Sequence, residues 1–220
     1  MKQSLIALAA ALYLVFAPVK ADADDTPVKA SMELMAGQDS AILDIKLLGS
    51  LGSGFAVFNR NRITALYGGA ENLGEVGASS FHVVNFRYAL PWVKRPHSLE
   101  ALAEVDVIAG KGIDPRFGVQ YGVTLGDVSL SQIVSLGSAP DGLLITNVGY
   151  APEVAQDVRV VGRLENVTSV SGDGHTSSTQ RVRLGVALGQ YELGVAGDLI
   201  EKGNEGNFGY NAGGFVSVKF

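Results

Sequence analysis

Apolar residues recur at every second position along most of this sequence, and this alternation constrains the fold more than any other feature. The clearest case is Thr179–Gly189, where four aliphatic residues alternate with polar or small ones: Val182, Leu184, Val186 and Leu188 against Thr179, Arg181, Arg183 and Gly185. The segments Leu99–Ala109, Arg116–Leu125 and Tyr191–Ile200 share this period of two. Side chains two residues apart lie on one face of a strand, so each segment predicts a strand with one apolar and one polar face.

A weaker form of the same alternation fills most of the remaining sequence. Helical periodicity is scarce, and no segment after residue 23 is apolar enough for a membrane-spanning helix. We therefore predict an all-β fold, an antiparallel up-and-down barrel of about twelve strands, with ten as the alternative. The eight weaker strand segments are Ala30–Ala36, Leu43–Leu48, Phe55–Tyr67, Phe81–Leu90, Val128–Leu136, Leu143–Tyr150, Val158–Val167 and Phe208–Phe220.

The links between these strands differ in length according to the side on which they fall. Gly126-Asp127 and Gly189-Gln190 are two-residue links that follow even-numbered strands. Longer links rich in Gly, Asn, Asp and Ser follow odd-numbered strands, at Gly68–Ser79, Val170–Ser178 and Glu201–Asn207. Short turns at one end and long loops at the other are typical of transmembrane β-barrels of the outer membrane.

The N-terminal segment has the organisation of a secretory signal peptide. Lys2 precedes an apolar run from Leu5 to Ala17, and small residues at Ala21 and Ala23 provide a cleavage site. The run is shorter than the ~20 residues that a spanning helix needs. We predict that residues 1–23 are a signal peptide and that residues 24–220 form a single barrel domain.

Composition excludes several classes of function. The chain has 220 residues and no cysteine, which rules out disulfides and cysteine-based metal or redox sites. A net charge of −5 argues against a nucleic-acid-binding protein, which needs a basic surface. No phosphate loop, nucleotide motif or metal-ligand cluster is present, so no cofactor and no metal are predicted.

The C-terminal strand carries a resemblance to a known class of proteins. Counting back by twos from Phe220 gives an apolar face with an aromatic residue at each end. This pattern resembles the C-terminal signature of Gram-negative outer-membrane β-barrel proteins, which end on Phe. The resemblance implies location in the cell outer membrane and recognition by the barrel-assembly machinery. The residues that match the signature are Tyr210, Val216, Val218 and Phe220.

A soluble periplasmic β-sandwich or barrel is the main alternative to a membrane barrel. Its apolar face would be a core, and a signal peptide would suit it equally well. The polar face is unusually rich in Gly, Ser, Arg and Glu for a solvent-exposed face, and the chain ends on Phe220. A sheet in lipid must close on itself because every backbone polar group needs a partner within the protein. These features favour the membrane barrel, with lipid as its surroundings.

The polar face of the predicted strands, which would line the lumen, carries charges in two sets. A basic track is predicted from residues on the third, fourth, sixth, ninth and tenth strands, and an acidic wall from the fifth, ninth and eleventh. Lys46 and Lys219 lie nearer the closure of the ring. The basic track is Arg60, Arg62, Arg87, Arg116, Arg159, Arg163, Arg181 and Arg183. The acidic wall is Glu100, Glu104, Asp106, Glu165, Glu192 and Asp198.

These charges predict a narrow channel with a modest preference for small anionic solutes. A row of guanidinium groups can bind carboxylates or phosphates in passing. The plan resembles small twelve-stranded porins for acidic oligosaccharides, whose pores carry arginine tracks, although the acidic wall departs from that pattern. The alternative is that Arg and Glu pair across the lumen and close it, which leaves a structural or surface-interaction role.

An enzymatic function is a third hypothesis. Ser80 and His82 share the lipid-facing side of the fourth strand, where a lipid hydrolase could attack an acyl ester. A catalytic histidine needs an orienting partner, and the sequence identifies none. Asp173 and His175 lie together in a polar segment whose solvent exposure explains them equally well. No catalytic residue is therefore predicted, and an isolated interfacial histidine is the preferred interpretation of His82.

Overall fold

The structure, a computed structural model, describes residues 28–66, 78–108, 112–137, 141–203 and 207–220. The predicted signal peptide, residues 1–23, lies outside the described residues. Among the described residues no helix is long and apolar enough to cross a membrane. The strands are β1 (Val28–Gly37), β2 (Ser40–Gly52), β3 (Phe55–Leu66), β4 (Ala78–Ala89), β5 (His97–Ile108), β6 (Gly112–Leu125), β7 (Val128–Leu136), β8 (Gly142–Tyr150), β9 (Glu153–Ala155), β10 (Val158–Ser171), β11 (Gly174–Leu188), β12 (Tyr191–Lys202) and β13 (Asn207–Lys219).

Twelve long strands close into one antiparallel ring in the described part of the chain. Each pairs with its neighbours in sequence, β8 pairs with β10, and β1 pairs with β13 to complete the circle. The three-residue β9 lies in the link between β8 and β10 and adds two pairs to β10. The predicted all-β barrel of about twelve strands is confirmed, and the ten-stranded alternative is wrong.

The apolar face of each strand points out of the barrel. Leu184 and Val195, for example, expose 55% and 63% of their surface although both lie within long strands. Aromatic residues lie at both ends of this outer face. Phe55, Tyr150, Tyr191 and Phe220 lie at one end, and Phe117, Phe208 and Tyr210 lie toward the other. An apolar outer band between aromatic girdles is the surface that transmembrane barrels present to lipid.

Two of the predicted links between strands have the predicted length in the structure, and two are shorter than predicted. β6–β7 and β11–β12 are joined by two-residue turns as predicted. The predicted loop Val170–Ser178 is instead strand, because β10 and β11 continue to a turn at residues 172–173. Hydroxyl contacts support the extension, with Thr168 Oγ1 3.2 Å from Ser178 Oγ. β12 likewise extends to Lys202, so the next link has four residues, and the predicted loop at 68–79 falls mainly outside the described residues.

One inward position in the terminal strand departs from the polar pattern. Phe215 is 3% exposed and packs inside the barrel with Met35, Ile42 and Ala196. These residues come from β1, β2, β12 and β13, so this side of the lumen is filled by apolar as well as charged side chains. Close packing of this kind anchors the pairing of β1 with β13.

Candidate functional site: the barrel lumen

Inward charges form two clusters on different parts of the wall. The basic cluster lies on β1–β3 and β10–β13 and has seven basic and five acidic side chains. The acidic cluster lies on β4–β6 and beside β8 and has five acidic and two basic side chains. The basic cluster is Glu33, Asp44, Lys46, Arg60, Arg62, Arg163, Glu165, Arg181, Arg183, Glu192, Asp198 and Lys219. The acidic cluster is Arg87, Glu100, Glu104, Asp106, Asp114, Arg116 and Asp141.

Arg60 joins opposite walls of the barrel. Its strand, β3, is six strands from β10 in either direction around the ring. Arg60 Nη1 donates to Glu165 Oε2 on β10 at 3.0 Å, and Arg60 Nε donates to Asp44 Oδ1 on the adjacent β2 at 2.9 Å. We call the interaction of Arg60 with Glu165 the cross-lumen pair, because it joins two strands on opposite sides of the ring. Charge-assisted bonds to a planar guanidinium suit such a span because several can form at once.

A second set of pairs links β1 and β3 to β10, β11 and β12. Glu33 accepts from Arg163 Nη2 at 2.9 Å and from Arg183 Nε at 2.8 Å. Arg183 also donates to Asp198 Oδ1 at 2.7 Å, and Arg62 reaches the other oxygen of Asp198 at 3.0 Å. The two-residue period of the strands places all these groups inward. Together they fill one side of the lumen with paired charge.

In the acidic cluster, fewer of the negative charges are balanced by basic side chains. Arg116 lies between three carboxylates, 3.1 Å from Asp106 and 2.7 Å from both Asp114 and Asp141. Glu104 accepts from Asn85 Nδ2 at 3.3 Å. Within the described part of the chain, Glu104 Oε1 and Asp106 Oδ1 have no hydrogen-bond partner although both residues are buried. This wall therefore keeps excess negative charge toward the end of the barrel opposite the β6–β7 and β11–β12 turns.

Two cavities lie beside these clusters. The first has a volume of about 190 Å³ and is bordered by Lys46, Arg60, Arg163 and other members of the basic cluster. The second, of about 200 Å³, is lined by small polar residues of β5–β8 and reaches Pro96 in the link between β4 and β5. Ser129 and Asn147 line both cavities, so the two spaces adjoin. The open part of the lumen therefore lies against β6–β8.

The structure brings most of the predicted basic and acidic residues together, but in a different pairing. Arg163, Arg181 and Arg183 contact acids of β1, β10 and β12. Within the described part of the chain, the ion pairs of these three arginines do not reach β5, whose Glu100 lies 3.8 Å from Arg87 instead. Arg159 stands apart, 59% exposed at the end of β10 and 4.0 Å from Glu153.

Sequence analysis missed several lumen residues that the structure places at central positions. Glu33 and Asp44 lie on inward positions of β1 and β2, while Asp114 and Asp141 surround Arg116. The signal for Glu33 and Asp44 is present in the sequence, because each alternates with outward aliphatic residues. Inward Met35 and Ile42 obscured that alternation.

His82 has a partner that sequence reasoning did not identify. Its Nδ1 is hydrogen-bonded to Asn61 Oδ1 on β3, and Asn61 Nδ2 donates to Asn59 Oδ1 at 2.9 Å. β3 pairs with β4 without a register shift, so no β-bulge accounts for the outward position of Asn59 and Asn61. Ser80 lies on the same face of β4 by its register position, and its side chain is outside the described part.

Known structures resemble this barrel in fold. The KdgM porin has a TM-score of 0.55 at 13% identity, over 87% of this chain and 99% of that porin. The NanC porin has a TM-score of 0.59 at 8% identity, over 88% of this chain and 99% of that porin. No family model and no curated protein sequence matches the chain. The resemblance to small twelve-stranded porins is therefore confirmed at the level of the fold.

Proposed function

We propose that this chain, which has the fold of small porins, is a narrow outer-membrane channel with a modest preference for small anionic solutes. The observation that carries the proposal is the pair of adjoining cavities beside the basic cluster. A closed barrel packs its interior with side chains, whereas here space continues from the middle of the lumen to the link at Pro96.

The charge around the first cavity supports the anion preference. Five basic and three acidic side chains border it. The Lys46 side chain is 35% exposed, and its ion pair with Asp44 is long at 3.7 Å. Arg163 is 32% exposed at its side chain, so both cations can meet a passing solute. Guanidinium groups suit carboxylates and phosphates, and contacts shared with protein acids keep such binding weak enough for release.

The acidic cluster explains why the preference is modest. A solute that crosses the whole barrel passes both clusters, and the excess negative charge near Asp106 opposes the excess positive charge near Lys46. An anion gains free energy at one cluster and loses part of it at the other. We therefore propose selectivity by net charge along the path rather than a tight binding site for one solute.

Location in the outer membrane is supported by the outer surface. The apolar outward face and its aromatic ends suit a lipid bilayer. Export through residues 1–23 and assembly through Tyr210, Val216, Val218 and Phe220 remain predictions of the sequence. Outer-membrane lipid, the assembly machinery and small solutes are the partners that this proposal implies.

Planar-bilayer recording of the purified barrel under a KCl gradient tests the channel. We expect conductance steps and a reversal potential that indicates anion preference. Lys46→Gln should lower the chloride-to-potassium permeability ratio by roughly a factor of two, because one of two excess positive charges beside the cavity is lost. Lys94→Gln, which removes an equal charge from the exposed link between β4 and β5, is the matched control and should leave the ratio unchanged.

Removal of two arginines that border the first cavity, Arg181 and Arg183, tests the same proposal with a larger change in charge. Arg181→Ala combined with Arg183→Ala should change both conductance and selectivity, provided the barrel still shows heat-modifiable migration. An equal response to Lys46→Gln and Lys94→Gln would contradict the role of the basic cluster.

A closed barrel with a structural or surface-interaction role is the second candidate. The cross-lumen pair of Arg60 and Glu165 favours it, because this pair obstructs the middle of the lumen. A barrel that inserts into the bilayer yet gives no conductance steps would favour closure and contradict the channel.

A further inference from the structure

A polar patch lies on the lipid-facing surface of the barrel. Asn59 and Asn61 on β3 and His82 on β4 point outward with the apolar residues of their strands, and we call these three residues the outer polar patch. Exposed Ile63 and Phe86 lie near it on the same strands. Lipid-facing positions of transmembrane strands typically carry apolar side chains, and this patch joins three polar side chains by hydrogen bonds, so it requires an explanation.

The outer polar patch lies in the middle of the strands. Asn61 is the seventh of twelve residues in β3, and His82 is the fifth of twelve in β4. Strands that cross a bilayer need about 9–11 residues for its apolar core. An interfacial location therefore does not account for these side chains, since headgroups and water lie nearer the strand ends.

The hydrogen bonds within the outer polar patch use only some of its donors and acceptors. Because Asn61 Oδ1 can only accept, a neutral His82 carries its hydrogen on Nδ1 and keeps Nε2 as an acceptor. Asn61 uses one amide hydrogen on Asn59 Oδ1 and keeps the other. Among the described residues, neither His82 Nε2 nor the Asn59 amide group has a further hydrogen-bond partner. Acyl chains cannot satisfy these groups, and leaving them unpaired in hydrocarbon costs free energy.

We propose that the outer polar patch is the contact surface for a second copy of this chain, in a dimer about a two-fold axis normal to the membrane. Such an axis at the β3–β4 seam places β3 of one copy opposite β4 of the other at equal depth. Asn61 and His82 are register partners, so they lie at the same level. The free amide hydrogens of one copy then face His82 Nε2 of the other, and the same contact recurs on the second side of the axis.

The arrangement of hydrogen-bond donors and acceptors in the outer polar patch favours a second copy of this chain as the partner. Donors lie on β3 and the acceptor lies on β4, so the patch matches itself only after the exchange of left and right that a two-fold axis produces. The surface is also regular enough to meet a copy of itself, because β3 and β4 pair from Phe55 to Ala65 without a shift of register. Neighbouring aliphatic and aromatic side chains would pack around the polar centre.

Cysteine cross-linking tests this dimer, since the natural chain has no cysteine. Val84 lies on the outward face of β4, two residues from His82 and opposite Asn59 in register. Val84→Cys of the full barrel in phosphatidylcholine vesicles should form a disulfide-linked dimer on treatment with copper phenanthroline. Leu184→Cys, equally outward but on β11, six strands from β4, is the matched control and should cross-link several-fold less.

A second variant separates the polar contact from chance collisions. Replacing Asn59, Asn61 and His82 together by Leu in the Val84→Cys background gives an ordinary apolar surface, which a barrel in lipid tolerates. Heat-modifiable migration on a gel would verify that the variant is folded. We expect its cross-linking to fall to the level of Leu184→Cys.

Two cross-linking results would overturn the proposed dimer. Cross-linking of Val84→Cys no higher than that of Leu184→Cys would do so, and so would cross-linking that survives loss of the outer polar patch. Conductance per barrel is not expected to change in the triple variant, because all three side chains lie outside the lumen. Failure of the dimer is therefore distinguishable from failure of the channel.

Discussion

The two halves of the lumen are built from the same kind of strand and differ completely in how they are filled. On the side of β10–β13 and β1–β3, long charged side chains meet one another and surround the packed Phe215. On the side of β6–β8, inward positions carry mostly glycine, serine and asparagine, and the cavities lie there. The aperture of such a barrel therefore depends on the inward residues of each wall separately.

Each half requires its own residue types for a physical reason. The filled half can bury charge because nearly every acid has an arginine within hydrogen-bond distance. The open half brings backbones close together instead. A Cβ atom on Gly118 would lie 2.2 Å from the carbonyl oxygen of Val134 on the adjacent strand, so only glycine fits there. Small inward residues therefore serve both strand pairing and free space.

The largest expected effect comes from breaking the filled half at the cross-lumen pair. Arg60→Met leaves the acids Asp44 and Glu165 with fewer partners, so it should lower the free energy of unfolding by about 3–5 kcal/mol. Urea unfolding of the barrel in lipid vesicles would measure this. The double variant Arg60→Met with Glu165→Met should recover part of the loss, because it also removes the Glu165 carboxylate that the single variant leaves without Arg60. A single variant as stable as the double would contradict a paired contact across the lumen.

A smaller effect should come from filling the open half. Ser131→Trp places a large ring in the second cavity, and single-channel conductance should fall by roughly half or more because the ring takes up space that ions use. Val134→Trp, on the same strand but pointing outward, is the matched control and should conduct normally. Equal conductance in the two variants would show that ions take another path.

The smallest expected change in stability comes from removing one negative charge of the acidic cluster. Glu104→Gln keeps the shape of the side chain and removes a carboxylate that has one unpartnered oxygen and a weak contact to Asn85. The free energy of unfolding should change by less than about 1 kcal/mol. The permeability ratio should shift toward anions in reversal-potential measurements. An unchanged permeability ratio would place the acidic cluster away from the path.

The sequence predicts the barrel well because its main signal is local. Alternation at Thr179–Gly189 defines which side chains face lipid without any knowledge of which strands are neighbours. The same reasoning failed at Val170–Ser178, where serine, threonine and glycine suggested a loop. In the structure these residues form the tip of a hairpin, since their hydroxyls bond one another and a neighbouring backbone carbonyl across the strand pair.

The site was predictable only in part, because partners across the lumen come from distant strands. Inward placement of Arg60, Arg163 and Arg183 follows from parity alone. That Arg60 meets Glu165, or that Glu33 serves two arginines, depends on ring size and on the relative level of strands far apart in sequence. The bond between His82 and Asn61 needed the register of β3 with β4, which alternation does not provide.

The cross-lumen pair has a consequence for how pores of this kind are compared. Strand number fixes the perimeter of the ring, yet Arg60 and Glu165 subdivide the cross-section that this perimeter encloses. In the proposed channel, a solute would have to pass on one side of this pair, against β6–β8. Two barrels with equal strand counts can therefore have different size limits, and a change of one residue pair can alter the limit without altering the scaffold.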